Sequence, residues 1–358
     1  MKKILASAVA AFFASLVFAY NPPIAGENIY KLTNPTLLGG GASATGGPFG
    51  DVVVGSIAYN PALSAMEQRT AINASASFLI DGSGSSSSIG WGFQGGAIIP
   101  NKWMVFTAAA EGLFTQGTSL DLGNNITAHF GFAKEMNENI SVGLNAYFGY
   151  YFGSGYDFVI GADLGFLYSL ERLGFMRDVR IGFSLLNMGK PLSGTYPVTG
   201  IYGDASETSF PGIFTPRLSF AAELFSVGTF NHKFSGSFSI DGYFPTFQNA
   251  VCDLAFGLSY NRIINLTVGW EANAREIAQT SKVNGVSVGL GVHLVISSGD
   301  TTETREQNEI IPAAAWQNLC GNIHDLSVGA TVYFGMTDDE APEVYLWGEQ
   351  LTFEESGE

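Results

Sequence analysis

The chain has 358 residues, of which 46% are hydrophobic and only 13% are charged, whereas a typical soluble domain carries about 25% charged residues. Its formal net charge is −16, and the stretch 337–358, with eight acidic residues and no basic one, supplies half of it. This charge balance argues against a nucleic-acid partner, and the apolar composition indicates a large surface that does not face water. Beyond residue 19 no segment has 18 consecutive apolar side chains, which excludes membrane-spanning helices.

Residues 1–19 predict a signal peptide. Lys2 and Lys3 form a positive start, the stretch 4–18 is apolar, and Ala19 offers the small side chain that a signal peptidase reads. The apolar stretch is too short for a spanning helix, which needs about 20 apolar residues. We therefore expect an exported chain that is cleaved after Ala19.

Residues 20–69 are rich in Gly, Ala, Asn and Pro, as in the run Gly39-Gly40-Gly41. Asn60 is a good N-cap and Pro61 suits the first helical position, so a short helix is predicted to begin at Pro61. A disordered leader is the alternative interpretation. The capped helix and its apolar anchors favour a folded plug.

From residue 70 onward, apolar and small or polar residues alternate strictly. In 326–334, one face carries Leu, Val, Ala, Val and Phe, and the other carries Ser, Gly, Thr and Tyr. This pattern over about 10 residues is typical of a membrane strand, although a soluble β-sandwich alternates too. Aromatic residues at the strand ends and the export signal favour the membrane. Because a closed barrel satisfies every backbone group within lipid, we predict an all-β transmembrane antiparallel β-barrel.

Thirteen strands are predicted directly, and single-chain bacterial barrels have an even number. The missing strand is predicted within 301–319, around 308–317. The alternative is a last strand at 344–353. The first arrangement places Cys252 and Cys320 at the same outer end, where they could form a disulfide, and the second separates them. The thirteen predicted strands lie near 70–80, 87–99, 102–115, 124–135, 139–151, 157–170, 178–188, 214–225, 230–241, 252–261, 264–274, 285–296 and 323–335.

A signal peptide, a Gly/Ala-rich segment and then Tyr59-Asn60-Pro61-Ala62-Leu63 before a first strand resemble the FadL family. These are outer-membrane transporters of long-chain fatty acids and hydrocarbons. The stretch 180–190 resembles FadL-like proteins of spirochaetes. The resemblance implies a fourteen-stranded barrel (70–336) in the bacterial outer membrane. It also implies an N-terminal hatch inside the lumen (20–69), and here an acidic periplasmic tail (337–358) follows.

The resemblance also implies sites. Asn60, Pro61 and Ala62 would form the gate of the hatch, and a kink in the third strand would let the ligand leave sideways. Glu111-Gly112 is a candidate for that kink because Gly in a strand often marks a bulge, and an ordinary inward-facing Glu beside a Gly is the simpler alternative. The expected ligand is a long-chain fatty acid or another apolar molecule. Its groove among the outer loops would use Phe210, Phe214, Tyr243, Phe244, Phe247 and Trp316.

The expected partners besides the ligand are outer-membrane lipid and the barrel assembly machinery, for which Gly329 and Phe334 form the signal at the last strand. None of the four histidines lies in a compact nucleophile motif, and we find no Cys/His metal spacing and no phosphate loop. We therefore predict a protein that is not an enzyme and has no cofactor and no metal. A general diffusion porin, with an open lumen, and a surface-exposed structural or adhesive barrel are the alternative functions.

Overall fold

The computed structural model describes residues 22, 25–82, 88–118, 120, 123–153, 155–192, 211, 214–229, 233–280, 284–298, 306–319 and 322–335. In this part of the chain the strands pair antiparallel with their sequence neighbours, except that β12 and β13 both pair with β14, and the first strand pairs with the last, so the sheet closes into a barrel. The strands are β1 (Thr70–Asp81), β2 (Ser88–Pro100), β3 (Val105–Phe114), β4 (Asn124–Asn137), β5 (Ile140–Phe152), β6 (Tyr156–Leu173), β7 (Met176–Lys190), β8 (Thr215–Val227), β9 (Phe234–Tyr243), β10 (Val251–Tyr260), β11 (Ile264–Asn273), β12 (Ser287–Val292), β13 (Leu294–Ser298), β14 (Glu306–Leu319) and β15 (Ile323–Phe334).

The barrel wall has fourteen strands when β12 and β13 are counted as one. Both β12 and β13 pair with β14, and Gly291 opposite Ala313 and Leu294 opposite Ile310 belong to one register, so β12 and β13 are two halves of one strand. This is the number that the family resemblance implies. The thirteen directly predicted strands are confirmed, and β14 is the missing one. The alternative last strand, 344–353, lies outside the described residues. It assumes that 323–335 is not the last strand, and this is wrong because β15 pairs with β1 and closes the ring.

The two faces of the wall differ as a membrane barrel requires. Ile72, Phe130 and Leu144 point outward and are exposed, while their neighbours Asn73 and Asn145 point inward and are buried. An apolar outer face with a polar lumen is the arrangement of outer-membrane barrels. None of the helices in the described ranges is both long enough and apolar enough to cross a membrane.

The connections distinguish the two ends of the barrel. At one end the turns are short, as at 138–139, 174–175 and 261–263, and we call this the short-turn end. At the other end the connections include 191–214 and 274–286, and we call this the long-loop end. Short turns face the periplasm in barrels of this kind, so the long-loop end faces outward. The predicted signal peptide (1–19) and the predicted acidic tail (337–358) lie outside the described residues, the last of which is Gly335.

Residues 25–69, which we call the inner segment, contact the inward face of strands around the whole ring. The inner segment has four short helical turns, at Gly26–Thr33, Leu37–Gly41, Val54–Ala58 and Pro61–Met66. The Asn60 side chain accepts a hydrogen bond from the Ala62 backbone N–H at 3.0 Å, which confirms the predicted cap, on a 3₁₀ helix. Contacts of the inner segment with inward-facing side chains of strands such as β7, β9, β11 and β15 place it within the lumen.

Glycines on the wall make room for the inner segment. Gly143 on β5 lies against Pro61, and Gly182 on β7 lies against Ala44, so closely that a Cβ at either glycine would overlap the backbone of the inner segment. At other wall glycines a Cβ would come within 3.0 Å of a side-chain or backbone atom of the inner segment, namely Gly131 with Ile57, Gly165 with Asn60, Gly257 with Phe49, and Gly289 with Gly39. Because protein interiors are close-packed, the inner segment can pass this near the wall only where the wall has no side chain.

Candidate functional site

The predicted gate Asn60-Pro61-Ala62 is fixed to the wall by buried hydrogen bonds. The Asn60 Nδ2 group donates to the carbonyl oxygens of Ala44, at 2.7 Å, and of Phe166 on β6, at 3.0 Å. The Ser184 hydroxyl on β7 donates to the Tyr59 carbonyl at 2.7 Å. Each such bond contributes about 1 kcal/mol net. The Asn60–Ala44 bond lies within the inner segment, so the other two bonds attach the motif to the wall with about 2 kcal/mol, which is the size of change that ligand binding can offset.

A polar belt crosses the wall at mid-depth. It consists of Gln94, Glu111, His129, Asn145 and Asp163 on five consecutive strands, β2 to β6, and each contacts the next. The Gln94 amide donates to Glu111 at 3.1 Å, His129 Nε2 lies 3.1 Å from Glu111, and the Asn145 amide donates to Asp163 at 2.7 Å. Such a connected network is rigid and keeps this part of the lumen polar.

The predicted kink at Glu111-Gly112 is not present in the structure. Strand β3 pairs with β2 and with β4 from Val105 to Phe114 without any register shift. Glu111 points inward into the polar belt, and Gly112 lies beneath the rings of Phe93 and Phe114. The simpler alternative, an inward-facing Glu beside a Gly, is what the structure shows.

The ladder is interrupted elsewhere, between β12–β13 and β14. The pairing stops after Gly291–Ala313 and resumes at Leu294–Ile310, and Pro312 in the gap has no N–H to donate. The His293 backbone N–H donates instead to the Ile263 carbonyl, at 2.7 Å. On the lumen side of this interruption, between the inner segment and the wall, lies a cavity of about 40 Å³. Its lining includes Pro35, Phe49, Gly291, Ile311 and Ala313.

An ionic cluster lies at the short-turn end, next to this cavity. Glu309 on β14 accepts hydrogen bonds from His293 Nδ1 at 2.7 Å and from Arg69 at 3.1 Å. Arg69 also pairs with Glu67, the residue that follows the last turn of the inner segment. The cluster therefore ties the end of the inner segment to the wall beside the interrupted ladder.

At the long-loop end half of the lumen wall is apolar. Ala25, Ile29, Leu32 and Leu38 of the inner segment fill this region and are all almost fully buried. We call the wall residues the apolar layer; they are Leu79, Leu113, Tyr151, Val159, Leu319 and Ile323. Burying one Leu or Ile side chain is worth about 1.5–3 kcal/mol, so the inner segment gains much of its hold on the wall here.

Carboxylates line the other half of the long-loop end. We call Asp253 on β10, Glu271 on β11, Asp325 on β15 and Glu276 of helix α1 (Ala274–Thr280) the acidic wall; all but the half-buried Asp253 are buried. The inner segment meets it with hydrogen-bond donors. Asn28 donates to Asp253 at 3.1 Å and to Glu271 at 2.9 Å, Lys31 donates to Glu271, and the Ala25 N–H donates to Glu276 at 2.8 Å.

The charge of Lys31 is maintained by this wall. Burial by itself would lower the pKa of Lys31, but the carboxylates of Glu271 and Asp253 outweigh burial and raise it. The ammonium group thus stays protonated inside the lumen. Arg217 on β8 is engaged in a similar way, since it pairs with Asp241 at 2.7 Å and approaches Asp253 at 3.4 Å.

The predicted ligand groove is only partly assembled. Phe214 and Phe247 lie with ring centroids 5.9 Å apart, and Phe244 beside them is exposed at the long-loop end. Tyr243 is buried in the lumen, with its ring 4.5 Å from the Arg217 guanidinium. Trp316 was wrongly assigned to the groove, because it lies on the outward face of β14 and stacks on His324. Phe210 lies outside the described residues.

Two other predictions are located without being tested. Cys252 is a free, partly exposed thiol on β10, and its predicted disulfide partner Cys320 lies outside the described residues. Gly329 faces Ser75 across the β1–β15 ladder and Phe334 is the last residue of β15, so their role in assembly stays a prediction. Within the described ranges, no group of three or more His, Cys, Asp and Glu side chains is suited to a metal ion.

Three cavities among the described residues lie between the inner segment and the wall, and all three are small. Their volumes are about 40, 20 and 30 Å³. One water occupies about 10–15 Å³ on this scale, so each of the three holds a few waters at most. A lipid-sized molecule can enter these places only if the inner segment moves.

Sequence reasoning missed the acidic wall and the interrupted ladder. The alternation puts Asp253 and Glu271 on the inward face, but it does not tell which strands meet the inner segment. Pro312, within a region predicted as a strand, was the available signal for the interruption.

No protein-family model matches the chain, and no curated protein matches it either. Among solved structures it is similar to the toluene transporter TbuX of Ralstonia pickettii, with a TM-score of 0.46 and 13% identity over 85% of this chain and 98% of that one. It is also similar to the toluene transporter TodX of Pseudomonas putida, with a TM-score of 0.45 and 11% identity over 78% of this chain and 92% of that one. A mutant of the Rh. blastica porin gives a TM-score of 0.34 and 10% identity over 74% of this chain and 100% of that one. These are similarities of barrel fold.

The contact between wall glycines and the inner segment generates a prediction. Gly165→Leu puts a side chain where Asn60 now lies, and overpacking of this kind costs about 1–3 kcal/mol. We expect ion conductance in planar bilayers to rise about fivefold or more as the inner segment is dislodged. Gly95→Leu is the matched control, because a Cβ there meets only the Asn73 carbonyl, at 3.6 Å. Equal conductance in the two variants would contradict the contact's role.

Proposed function

We propose that this barrel carries apolar small molecules across the outer membrane and that the inner segment is its gate. The observation that carries the proposal is the apolar layer at the long-loop end. This layer is a buried apolar surface inside a lumen, and side chains of the inner segment, which is not a strand of the barrel, occupy it. A molecule with comparable apolar surface can take their place without exposing the layer to water.

An open diffusion pore is a poorer account of the same geometry. The inner segment reaches strands on opposite sides of the ring, since Thr45 accepts a hydrogen bond from Arg180 on β7 and Val52 accepts one from Tyr333 on β15. The cavities beside it are of water size. A hydrophilic solute would have to displace the inner segment and would offer no apolar surface in exchange.

The long-loop end offers a first contact for the cargo. The exposed rings of Phe244 and Phe247, with Phe214 beside them, form an apolar surface outside the lumen. Transfer of an alkyl chain from water gains about 0.8 kcal/mol for each CH₂ group. The alkyl portion of a long-chain fatty acid, the cargo expected from the sequence, meets this requirement, and other apolar molecules do as well.

We place the exit at the interrupted ladder between β12–β13 and β14, in place of the third strand. On the long-loop side of the gap the inward residues are small, with Gly289 opposite Ala315 and Gly291 opposite Ala313. The gap lies between the lumen cavity and the lipid-facing residues. A molecule released by movement of the inner segment would meet the membrane at this place.

The proposal predicts a selective effect on apolar cargo. Leu113→Asn in the apolar layer should weaken binding of an alkyl probe about tenfold or more, since one buried Leu is worth about 1.5–3 kcal/mol. Leu167→Asn is the matched control, as Leu167 is equally buried but belongs to a separate cluster. Binding is measured by fluorescence competition on the full chain in nanodiscs, and native mass spectrometry examines co-purified lipid.

A second measurement separates a transporter from a porin. The wild-type barrel should show low conductance in planar bilayers and retain an apolar molecule on purification. High wild-type conductance without any retained molecule, or equal losses of binding in the two Leu variants, would contradict the proposed function.

The exit can be tested by filling it. A Cβ at Gly291 meets Ile311 and Asn265 only at 3.9 and 4.0 Å, so Gly291→Leu should fit without dislodging the inner segment. We expect transfer of the alkyl probe from outside into proteoliposome lipid to slow about fivefold or more, with binding affinity unchanged. The lipid-facing Gly95→Leu should transfer at the wild-type rate. Unchanged transfer in Gly291→Leu would exclude this exit.

A further inference from the structure

We propose that the apolar cargo carries a cationic, amine-type head group, which takes the place of Lys31 at the acidic wall. This rests on the proposed function and specifies the class of its cargo. The chamber at the long-loop end is amphipathic, with an apolar layer on one side and carboxylates on the other. The inner segment itself shows which kind of molecule fills both sides.

The first helical turn of the inner segment, Gly26–Thr33, joins the two halves of the chamber. Its Ile29 and Leu32 pack in the apolar layer, whereas Asn28 and Lys31 contact the acidic wall. In chemical terms the turn presents an aliphatic surface next to an ammonium group. A molecule that displaces this turn leaves the same two surfaces to be covered.

Asp325 shows that the acidic wall has unused capacity. It is fully buried on the inward side of β15, and neither carboxylate oxygen has a hydrogen-bond partner among the described residues. Across the ladder, the Gln317 Oε1 atom is also buried without a partner. Gln317 lines a cavity of about 20 Å³ together with Lys31, Asp253 and Glu271. Buried acceptors without donors are costly, so a head group that donates several hydrogen bonds is favoured here.

An anionic head group finds the opposite conditions. Lys31 and Arg217, which both contact the acidic wall, are already paired, Lys31 with Glu271 and Arg217 with Asp241. A fatty-acid carboxylate would meet like charges on the acidic wall and would have to break one of these ion pairs. Juxtaposed like charges are a strong source of discrimination between ligands.

The test compares three ligands with the same ten-carbon chain. Decylamine, 1-decanol and decanoate compete with a fluorescent alkyl probe on the full chain, held in zwitterionic nanodiscs at pH 7.5. We expect decylamine to bind about tenfold or more tightly than decanoate, with decanol between them. Decanoate binding as tightly as decylamine would overturn the inference even when decanol binds.

Variants then identify the acidic wall as the cause. Asp325→Asn keeps the side-chain shape and should reduce the advantage of decylamine over decanol about fivefold, leaving decanol affinity unchanged. Glu138→Gln, at an exposed turn of the short-turn end, should have no effect. A heat-modifiability shift on gel electrophoresis verifies folding, and the wild-type comparison of ligands stands without any variant. An undiminished advantage in Asp325→Asn would overturn the inference.

The outcomes also separate the inference from the function beneath it. If decanol and decylamine both fail to bind, the apolar cargo itself is refuted. If decanol binds and the amine has no advantage over decanoate, the cargo stands and only the cationic head group is refuted.

Discussion

The lumen depends on one steric constraint, the close approach of the inner segment to a wall that lacks side chains where the two meet. Glycines on successive strands, such as Gly143, Gly165 and Gly182, let backbone meet backbone around the ring. The hydrogen bonds of Asn60 can form only because of this proximity. A larger residue at any of these positions would push the inner segment away and open the lumen. The filling of the lumen therefore depends on small inward-facing wall residues as well as on the inner segment itself.

At the long-loop end the inner segment occupies the lumen in the way that a bound ligand would. Its first helical turn places Ile29 and Leu32 against apolar wall residues and Lys31 against Glu271, so both halves of the chamber are satisfied. An external molecule must offer equivalent contacts to displace the turn. Under the proposed function, the ligand and the inner segment compete for the same chamber. Ligand binding can then move the inner segment only by the ligand's difference in affinity between the closed and open states.

Much of the fold follows from the sequence because the two-residue alternation is regular and extends over long stretches of the chain. Each predicted strand exists, and the Asn60 cap was found from local preferences alone. What could not be predicted depends on contacts distant in sequence. Glycine at 112 reads as a bulge, yet the ladders of β3 are continuous, and Trp316 turned out to face lipid because its direction depends on the register of β14. The acidic wall required knowing that 25–33 lies beside β10, β11 and β15.

The central claim is that the inner segment moves away from the wall when cargo passes. Asn34, which follows the first turn, has its Nδ2 atom 3.5 Å from the Ser75 hydroxyl of β1, so a short thiol-specific cross-linker attached through reducible disulfides can join cysteines placed at the two positions. Asn34→Cys with Ser75→Cys, in a chain whose Cys252 and Cys320 are replaced by Ser, is compared cross-linked and reduced in the proteoliposome transfer assay. We expect transfer to fall to background when the cross-link is in place and to recover on reduction. Transfer at the same rate in both states, with the cross-link verified by mass spectrometry, would contradict the account.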